Sequence, residues 1–307
     1  MNKTYIDTVR LLLQVAPLVF KSPHFALKGG TALNLFVQDL PRLSVDLDVV
    51  FLDHTMPRDM ALTTIAQDLG TAKTAIERLG HRVQLRPTRA GEDAKMFVSG
   101  MDTEVKVEVN FNFRGTTMPV ERRALTSATQ EFFSANVNLP VLATPELYGG
   151  KLVAAMDRQH PRDIFDVQRM RESFGMPENF VDCFVAYLSG HNRPIHEVLF
   201  ANPKPLAELF TNAFEGMTTK AISLESLTST QDWLIKELPR ALTATHRQYL
   251  LSLARATPDW SACPFQHLGE LPAIQWKLLN LRKLEKRNPG LFAKQHDELV
   301  ERFAGLA

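Results

Sequence analysis

The chain has 307 residues, which at about 150 residues per domain predicts two domains. Its 35 Lys and Arg residues nearly balance its 34 Asp and Glu residues, and the net charge of +1 gives no argument for a polyanionic partner. A hydrophobic fraction of 45% with 22% charged residues is typical of globular proteins and excludes a mainly disordered chain.

Cysteine usage and hydropathy predict a cytoplasmic protein. Cys183 and Cys263 are far apart in the sequence and fit neither a disulfide framework nor a CxxC metal site, so we expect buried, reduced thiols. The apolar run over residues 11–20 is too short to span a bilayer, and no small-residue cleavage pattern follows it. We therefore expect no membrane partner.

Helices and strands alternate in the first half of the chain. Apolar residues at helical spacing predict helices over residues 5–20, 31–37, 60–79, 145–158 and 162–171. Thr31 and Thr144 are the predicted N-caps of the second and fourth of these helices. Short apolar or alternating segments predict strands over residues 24–28, 44–52, 81–85, 95–99 and 105–113.

Beyond about residue 175 every convincing segment is helical. Prolines and glycines separate predicted helices over residues 178–189, 205–214, 226–238, 243–256, 274–286 and 290–303. We therefore predict an α+β fold, in which a mixed-sheet domain over residues 1–175 precedes an all-helical domain over residues 176–307.

The most informative pattern lies at the start of the strand predicted over residues 44–52. Because residues two apart on a strand share a face, Asp46 and Asp48 lie about 7 Å apart. At an effective dielectric of about 20, their charges repel by about 2 kcal/mol. Mg²⁺ would relieve that repulsion and leave ligand positions for phosphates and water. The alternative is a pair of solvated aspartates, since such tripeptides are common.

Two neighbouring features strengthen the case for a phosphate and metal site. Gly29-Gly30-Thr31 follows a predicted strand, where backbone N–H groups can approach a phosphate without a Cβ clash, although an ordinary tight turn is the simpler explanation. Glu108 lies on the polar face of another strand and would supply a third carboxylate if that strand flanks residues 44–52. Otherwise we expect Glu108 to be an exposed partner of Lys106.

A third group of charges lies on two consecutive predicted helices. Lys151 and Arg158 are seven residues apart and share a helix face, and Asp163 and Asp166 follow on the next helix. Cations on one helix and carboxylates on the next suit a triphosphate with its metal. The alternative is a helix hairpin tied by surface salt bridges, which contribute little.

Basic residues form three local clusters. They comprise Arg82, Arg86, Arg89 and Lys95; Arg114, Arg122 and Arg123; and Lys277, Arg282, Lys283, Lys286 and Arg287. A solvated surface explains each cluster, and the alternative is contact with an RNA backbone.

The ordered motifs resemble those of a known family. Gly-Gly-Thr at 29–31, Arg-x-Ser-x-Asp-x-Asp at 42–48, and Lys151 followed by Arg162-Asp163-x-x-Asp166 are similar to the nucleotidyltransferase toxins of the AbiEii/AbiGii type. These toxins include the MenT group and belong to the DNA polymerase β-like nucleotidyltransferase superfamily. The likeness covers about residues 24–170. The broader superfamily has Gly-Ser where this chain has Gly30-Thr31.

The resemblance implies a minimal nucleotidyltransferase fold, a mixed sheet flanked by helices. It implies that Asp46 and Asp48 hold Mg²⁺ in a two-ion site, for which Glu108 is our candidate third ligand. Catalysis would then depend on Asp46, Asp48, Lys151 and Asp163. The nucleotide would be bound by Gly29, Gly30, Thr31, Ser44, Lys151 and Arg158.

The same resemblance implies a reaction and a biological setting. We expect transfer of nucleotides from an NTP to an RNA acceptor, first of all a tRNA 3′ end, by a toxin that has a cognate antitoxin protein, for instance of winged-helix type. One alternative keeps the site and changes the acceptor to a small molecule such as an aminoglycoside, or to a protein hydroxyl. Another alternative is a non-enzymatic module that binds nucleotides or regulates a partner.

Overall fold

A computed structural model describes residues 1–86, 94–111 and 113–306. The chain forms two compact units, which we call the sheet unit (residues 1–147 and 215–221) and the helical unit (residues 148–214 and 222–307). This division differs from the predicted domain boundary after residue 175. The reason is aromatic packing, because Tyr148 stacks on Phe180 at 5.1 Å between ring centroids and Phe174 lies 5.7 Å from Phe180.

The sheet unit is built on one mixed seven-stranded sheet with the strand order β3-β4-β5-β2-β1-β7-β6. The β2–β5 and β1–β7 pairs are parallel, and the other pairs are antiparallel. The strands are β1 (Phe25–Lys28), β2 (Asp46–Phe51), β3 (Arg82–Arg86), β4 (Ala94–Ser99), β5 (Glu104–Asn110), β6 (Glu121–Ala124) and β7 (Asn138–Val141).

Helices α1 (Lys3–Val19), α2 (Gly29–Thr31), α3 (Arg58–Glu77) and α4 (Ser127–Phe133) complete the sheet unit. A π-helical turn, Ala32–Val37, continues α2. The apolar stripe of α1 is buried because its valines and leucines recur every three or four residues. Thr31 is inside this helical segment, so its prediction as an N-cap is wrong.

The strands predicted around the motifs are confirmed to within a few residues. β5 ends at Asn110, earlier than predicted, and Asn112 lies outside the described residues. Sequence patterns missed β6, α4 and β7, since β6 is mostly exposed and β7 contains Pro140. A strand with no buried face has no alternation to detect.

In its described residues the helical unit contains helices but no strand of the sheet. Helix α5 (Thr144–Asp157) begins in the sheet unit and continues into the helical unit, and Thr144 is its first residue. The helices that follow are α6 (Pro161–Phe174), α7 (Glu178–Ser189), α8 (Ile195–Leu199), α9 (Ala207–Ala213), α10 (Leu224–Ala241), α11 (Ala244–Ala254), α12 (Pro272–Arg287) and α13 (Pro289–Ala304).

A close helix crossing sets the position of α5 in the helical unit. A Cβ added at Gly149 would lie 2.4 Å from the Cβ of Cys183 on α7, closer than two carbon atoms can approach. Only glycine allows α5 and α7 to cross at this distance, two residues before Lys151. Cys183 is a buried free thiol as predicted, whereas the free thiol of Cys263 is partly exposed.

No helix within the described part of the chain combines the length and the hydropathy that a membrane crossing requires.

Candidate active site

Strand β2 presents its two aspartates on one face of the sheet. Asp46 and Asp48 are partly buried, whereas Leu47 between them is fully buried. This alternation confirms that the two carboxylates share a face, as strand geometry predicts. Parallel pairing places Asp46 beside Lys106 and Asp48 beside Glu108 of β5.

The turn from β1 into α2 lies directly against Asp48. Gly29 adopts a φ of +75°, and a Cβ at this position would be 2.1 Å from the Oδ2 atom of Asp48. The antiparallel pairing of Lys28 with Asp48 creates this approach. Gly29 therefore meets two conditions that glycine alone satisfies, a left-handed backbone and a side-chain carboxylate in contact with its Cα.

Gly30 brings the Arg-x-Ser-x-Asp-x-Asp motif of residues 42–48 against the glycine turn. A Cβ at Gly30 would lie 2.9 Å from the Ser44 Oγ and 3.0 Å from the Arg42 Nη2. Arg42 is buried and donates a hydrogen bond from Nη1 to the carbonyl oxygen of Leu43 at 2.9 Å. The motif predicted no separate role for Arg42, because its burial depends on tertiary packing.

Thr31 connects the glycine turn to the aspartate strand. Its hydroxyl donates a hydrogen bond of 2.5 Å to the carbonyl oxygen of Asp46, and the residue is fully buried. The Gly-Gly-Thr motif and the Arg-x-Ser-x-Asp-x-Asp motif therefore form one local structure. In it, Gly29 contacts Asp48, Gly30 lies close to Ser44, and Thr31 donates a hydrogen bond to Asp46.

Replacing Gly29 by alanine tests this arrangement. We expect the free energy of unfolding to fall by about 2 kcal/mol or more, since the left-handed backbone costs about 1–2 kcal/mol and the contact with Asp48 adds to it. Gly80→Ala is the matched control, because Gly80 has a φ of +88° and nothing within 4 Å of an added Cβ. Urea unfolding of both variants measures the difference. Equal losses would contradict the contact with Asp48.

Strand β5 flanks β2, as Glu108 requires if it is to be a third metal ligand. The Glu108 carboxylate, however, has two lysine partners. Glu108 lies 3.0 Å from the Lys95 Nζ and 2.6 Å from the Lys106 Nζ. Burial raises the pKa of Glu108, but hydrogen bonds from Lys106 and Lys95 outweigh it and lower the pKa overall. Conversely, burial lowers the pKa of Lys106, but Glu108 and then Asp46 raise it above its usual value.

The carboxylate oxygens of Asp46 and Asp48 on β2 are ligands that suit Mg²⁺. Among the described residues, no group of three or more His, Cys, Asp and Glu side chains is placed to hold a metal ion. Mg²⁺ needs fewer, since it takes one or two carboxylates while phosphates and water complete its shell. Asp46 and Asp48 provide hard oxygen ligands on one face, and the absence of a Cβ at Gly29 leaves room for the carboxylate of Asp48 against the glycine turn. The residues present therefore fit this ion.

In the helical unit, α5 and α6 meet through a buried ion cluster. The Lys151 Nζ lies 2.8 Å from the Asp163 Oδ1 and 2.9 Å from the Asp166 Oδ2. The Arg158 Nε donates to the Asp163 Oδ2 at 2.5 Å, and its Nη2 donates to Oδ1 at 3.0 Å. Pro161 begins α6 after His160, whose ring nitrogen accepts the N–H of Arg162.

This cluster differs from a surface salt bridge. The side chain of Lys151 is 6% exposed and that of Asp163 is 2% exposed, although Arg158 is 64% exposed. Burial raises the pKa of Asp163, but the charge of Lys151 and the hydrogen bond from Arg158 lower it far below its usual value. Asp163 is therefore ionised at neutral pH. The two helices are therefore joined by salt bridges, as the helix-hairpin interpretation expected, but these salt bridges are buried rather than at the surface.

Comparison with known proteins agrees with this fold. The chain is similar to MenT4, a nucleotidyltransferase toxin from Mycobacterium tuberculosis H37Rv, with a TM-score of 0.57 and 19% identity over 88% of this chain and 92% of that chain. That likeness shows the predicted nucleotidyltransferase fold. No curated protein matches the chain. A family model described as nucleotidyl transferase AbiEii toxin, type IV toxin–antitoxin system, matches residues 10–280. The chain therefore belongs to the AbiEii family of nucleotidyltransferase toxins.

Proposed function

We propose that this nucleotidyltransferase transfers nucleotides from an NTP to an RNA acceptor, with the 3′ end of a tRNA as the first candidate. The observation that carries the proposal is the contact of the Gly29-Gly30 turn with Ser44 and Asp48. This arrangement suits a triphosphate with its metal. It combines a turn of two glycines, the hydroxyl of Ser44, and the carboxylates of Asp46 and Asp48.

The proposed reaction is an attack of the acceptor hydroxyl on the α-phosphorus of the NTP. A new oxygen–phosphorus bond forms as the hydroxyl releases its proton to solvent, the bond to the β-phosphate bridging oxygen breaks, and pyrophosphate leaves with that electron pair. The protein has to position the reactants and to neutralise charge, since it forms no covalent bond in this step. When bound, Mg²⁺ supplies an activated acceptor oxygen and a stabilised leaving oxygen.

Each residue of the sheet unit has a proposed role. Asp46 and Asp48 hold Mg²⁺, and Gly29, Gly30 and Ser44 contact the phosphates. Thr31 acts as a positioning residue, since its hydroxyl already donates to the backbone of Asp46. For Glu108 we keep the role of third ligand, which requires it to exchange Lys95 or Lys106 for the metal.

The proposal also keeps the role that the family resemblance implies for Lys151 and Arg158. Lys151 and Arg158 neutralise the triphosphate, and Asp163 holds both of them through its two carboxylate oxygens. The mostly exposed Arg158 is able to turn toward a phosphate, whereas Lys151 would have to exchange Asp163 or Asp166 for one. We further propose that the reaction takes place in the cytoplasm. The family implies an antitoxin partner, and we expect a protein, for instance of winged-helix type.

The test incubates the purified protein with Mg²⁺, each labelled NTP and total RNA. We expect label to enter RNA, to be lost with EDTA and to be lost in Asp46→Ala. Asp102→Ala, a change at an exposed aspartate outside β4 and β5, is the control that retains transfer. Labelling that survives Asp46→Ala would contradict the proposal. Transfer to an aminoglycoside or to a protein, with none to RNA, would replace the proposed acceptor.

A further inference from the structure

Helix α12 presents a surface of cations and exposed apolar side chains. We define the α12 face as Trp276, Leu279, Lys283, Lys286 and Arg287, which are all exposed. They lie three, seven, ten and eleven positions after Trp276, and these spacings place them along one side of a helix with 3.6 residues per turn. The opposite side of α12 is buried through Ile274, Leu278 and Leu281.

Within the described part of the chain, the cations of the α12 face form no ion pair. No carboxylate of the described residues lies within ion-pair distance of Lys283, Lys286 or Arg287. Glu285 is exposed, but at 100° per residue it points about 180° away from Trp276. On α13, by contrast, the exposed Arg302 lies 3.6 Å from Glu298. The α12 face is therefore an unneutralised patch of positive charge.

Trp276 gives this patch a stacking surface. Its side chain is 48% exposed, and the Nζ of Lys283 lies 5.7 Å from the ring centroid. An exposed indole beside a cation stacks on bases of any sequence, while neighbouring lysines and arginines contact the phosphates.

We propose that the α12 face binds a single-stranded segment of RNA, with a base stacked on Trp276 and the phosphates on Lys283, Lys286 and Arg287. This inference rests on the proposed function, because it concerns the RNA acceptor of the same reaction. The positive charge complements RNA phosphates, and the arrangement of the apolar side chains favours RNA over an anionic lipid surface. A membrane-binding helix needs a continuous apolar face, whereas Trp276 and Leu279 lie among cations on one side of α12.

The test measures binding of a fluorescein-labelled 12-nucleotide RNA of mixed sequence by anisotropy, without NTP or Mg²⁺. Trp276→Ala is expected to weaken binding by about 5- to 100-fold, and Trp276→Phe to retain most of it. The double variant Lys283→Gln/Lys286→Gln should reduce the slope of log affinity against log salt by about 1.4, at 0.7 for each phosphate contact.

The control is Leu291→Ala/Lys294→Gln, which removes an exposed leucine and an exposed lysine from α13 and should leave binding unchanged. Asp46→Ala separates the inference from the proposed function, since it should bind RNA normally while transferring no nucleotide. Transfer to RNA with unchanged binding in the α12 variants would overturn the inference alone. RNA binding without transfer would overturn the proposed function alone. Binding to vesicles of phosphatidylcholine and phosphatidylserine but not to RNA would overturn the choice of partner.

Discussion

Replacing Asp48 by asparagine is expected to reduce nucleotide transfer by about 10³-fold or more. A metal ion contributes several kcal/mol of charge stabilisation in a transition state, and each 1.36 kcal/mol corresponds to about a tenfold change in rate. Asparagine keeps the shape of aspartate beside Gly29, and it removes the repulsion with Asp46. The free energy of unfolding should therefore stay constant or rise slightly, so that loss of activity does not reflect loss of the fold.

Initial rates of label transfer to RNA, together with urea unfolding, measure both effects. Glu104→Gln on β5 is the matched control, since Glu104 is exposed and outside the proposed site. Glu108→Gln tests the third ligand. A loss as large as that of Asp48→Asn is expected if Glu108 binds the metal. If Asp48→Asn retains more than about a tenth of wild-type activity, Asp48 is not a metal ligand.

The second large effect is on stability, at the ion cluster of the helical unit. Lys151→Met is expected to reduce the free energy of unfolding by about 3–5 kcal/mol, because it leaves Asp163 and Asp166 buried without their ammonium partner. Urea unfolding at pH 7 measures this loss. Adding Asp166→Asn to Lys151→Met should restore part of it, since one unpaired carboxylate is then removed.

Lys73→Met provides the matched control for this measurement. Lys73 forms an exposed pair with Glu77 of α3 at 3.7 Å, and such pairs contribute about 0.3–0.5 kcal/mol. A loss below about 1 kcal/mol for Lys151→Met would show that the cluster is less buried or less coupled than the structure indicates.

The stabilisation supplied by Asp163 should also depend on pH. Because its pKa is lower in the folded protein than in the unfolded chain, its contribution is complete above the unfolded value of about 3.9. That contribution is lost as the pH falls below this value and the unfolded carboxylate takes up a proton. The difference in stability between the wild type and Lys151→Met should therefore shrink in acid.

Local patterns in the sequence were sufficient to predict most of the helices and strands and part of the candidate active site. The period of apolar residues predicted α1, α3 and the strand that contains Asp46 and Asp48, because burial of one face imposes that period on the sequence. The alternation of β2 also predicted that its two carboxylates share a face. These properties depend only on residues close together in the chain.

Contacts between distant segments required the tertiary structure. Gly29 touches Asp48 only because β1 pairs with β2 in one register, and Glu108 meets Lys95 only because β4 pairs with β5. The sequence by itself determined the order of motifs, the strand face of Asp46 and Asp48, and the family resemblance. The tertiary structure alone decided which charges are buried together, as for Lys151 with Asp163, because burial depends on the packing of whole helices and strands rather than on local spacing.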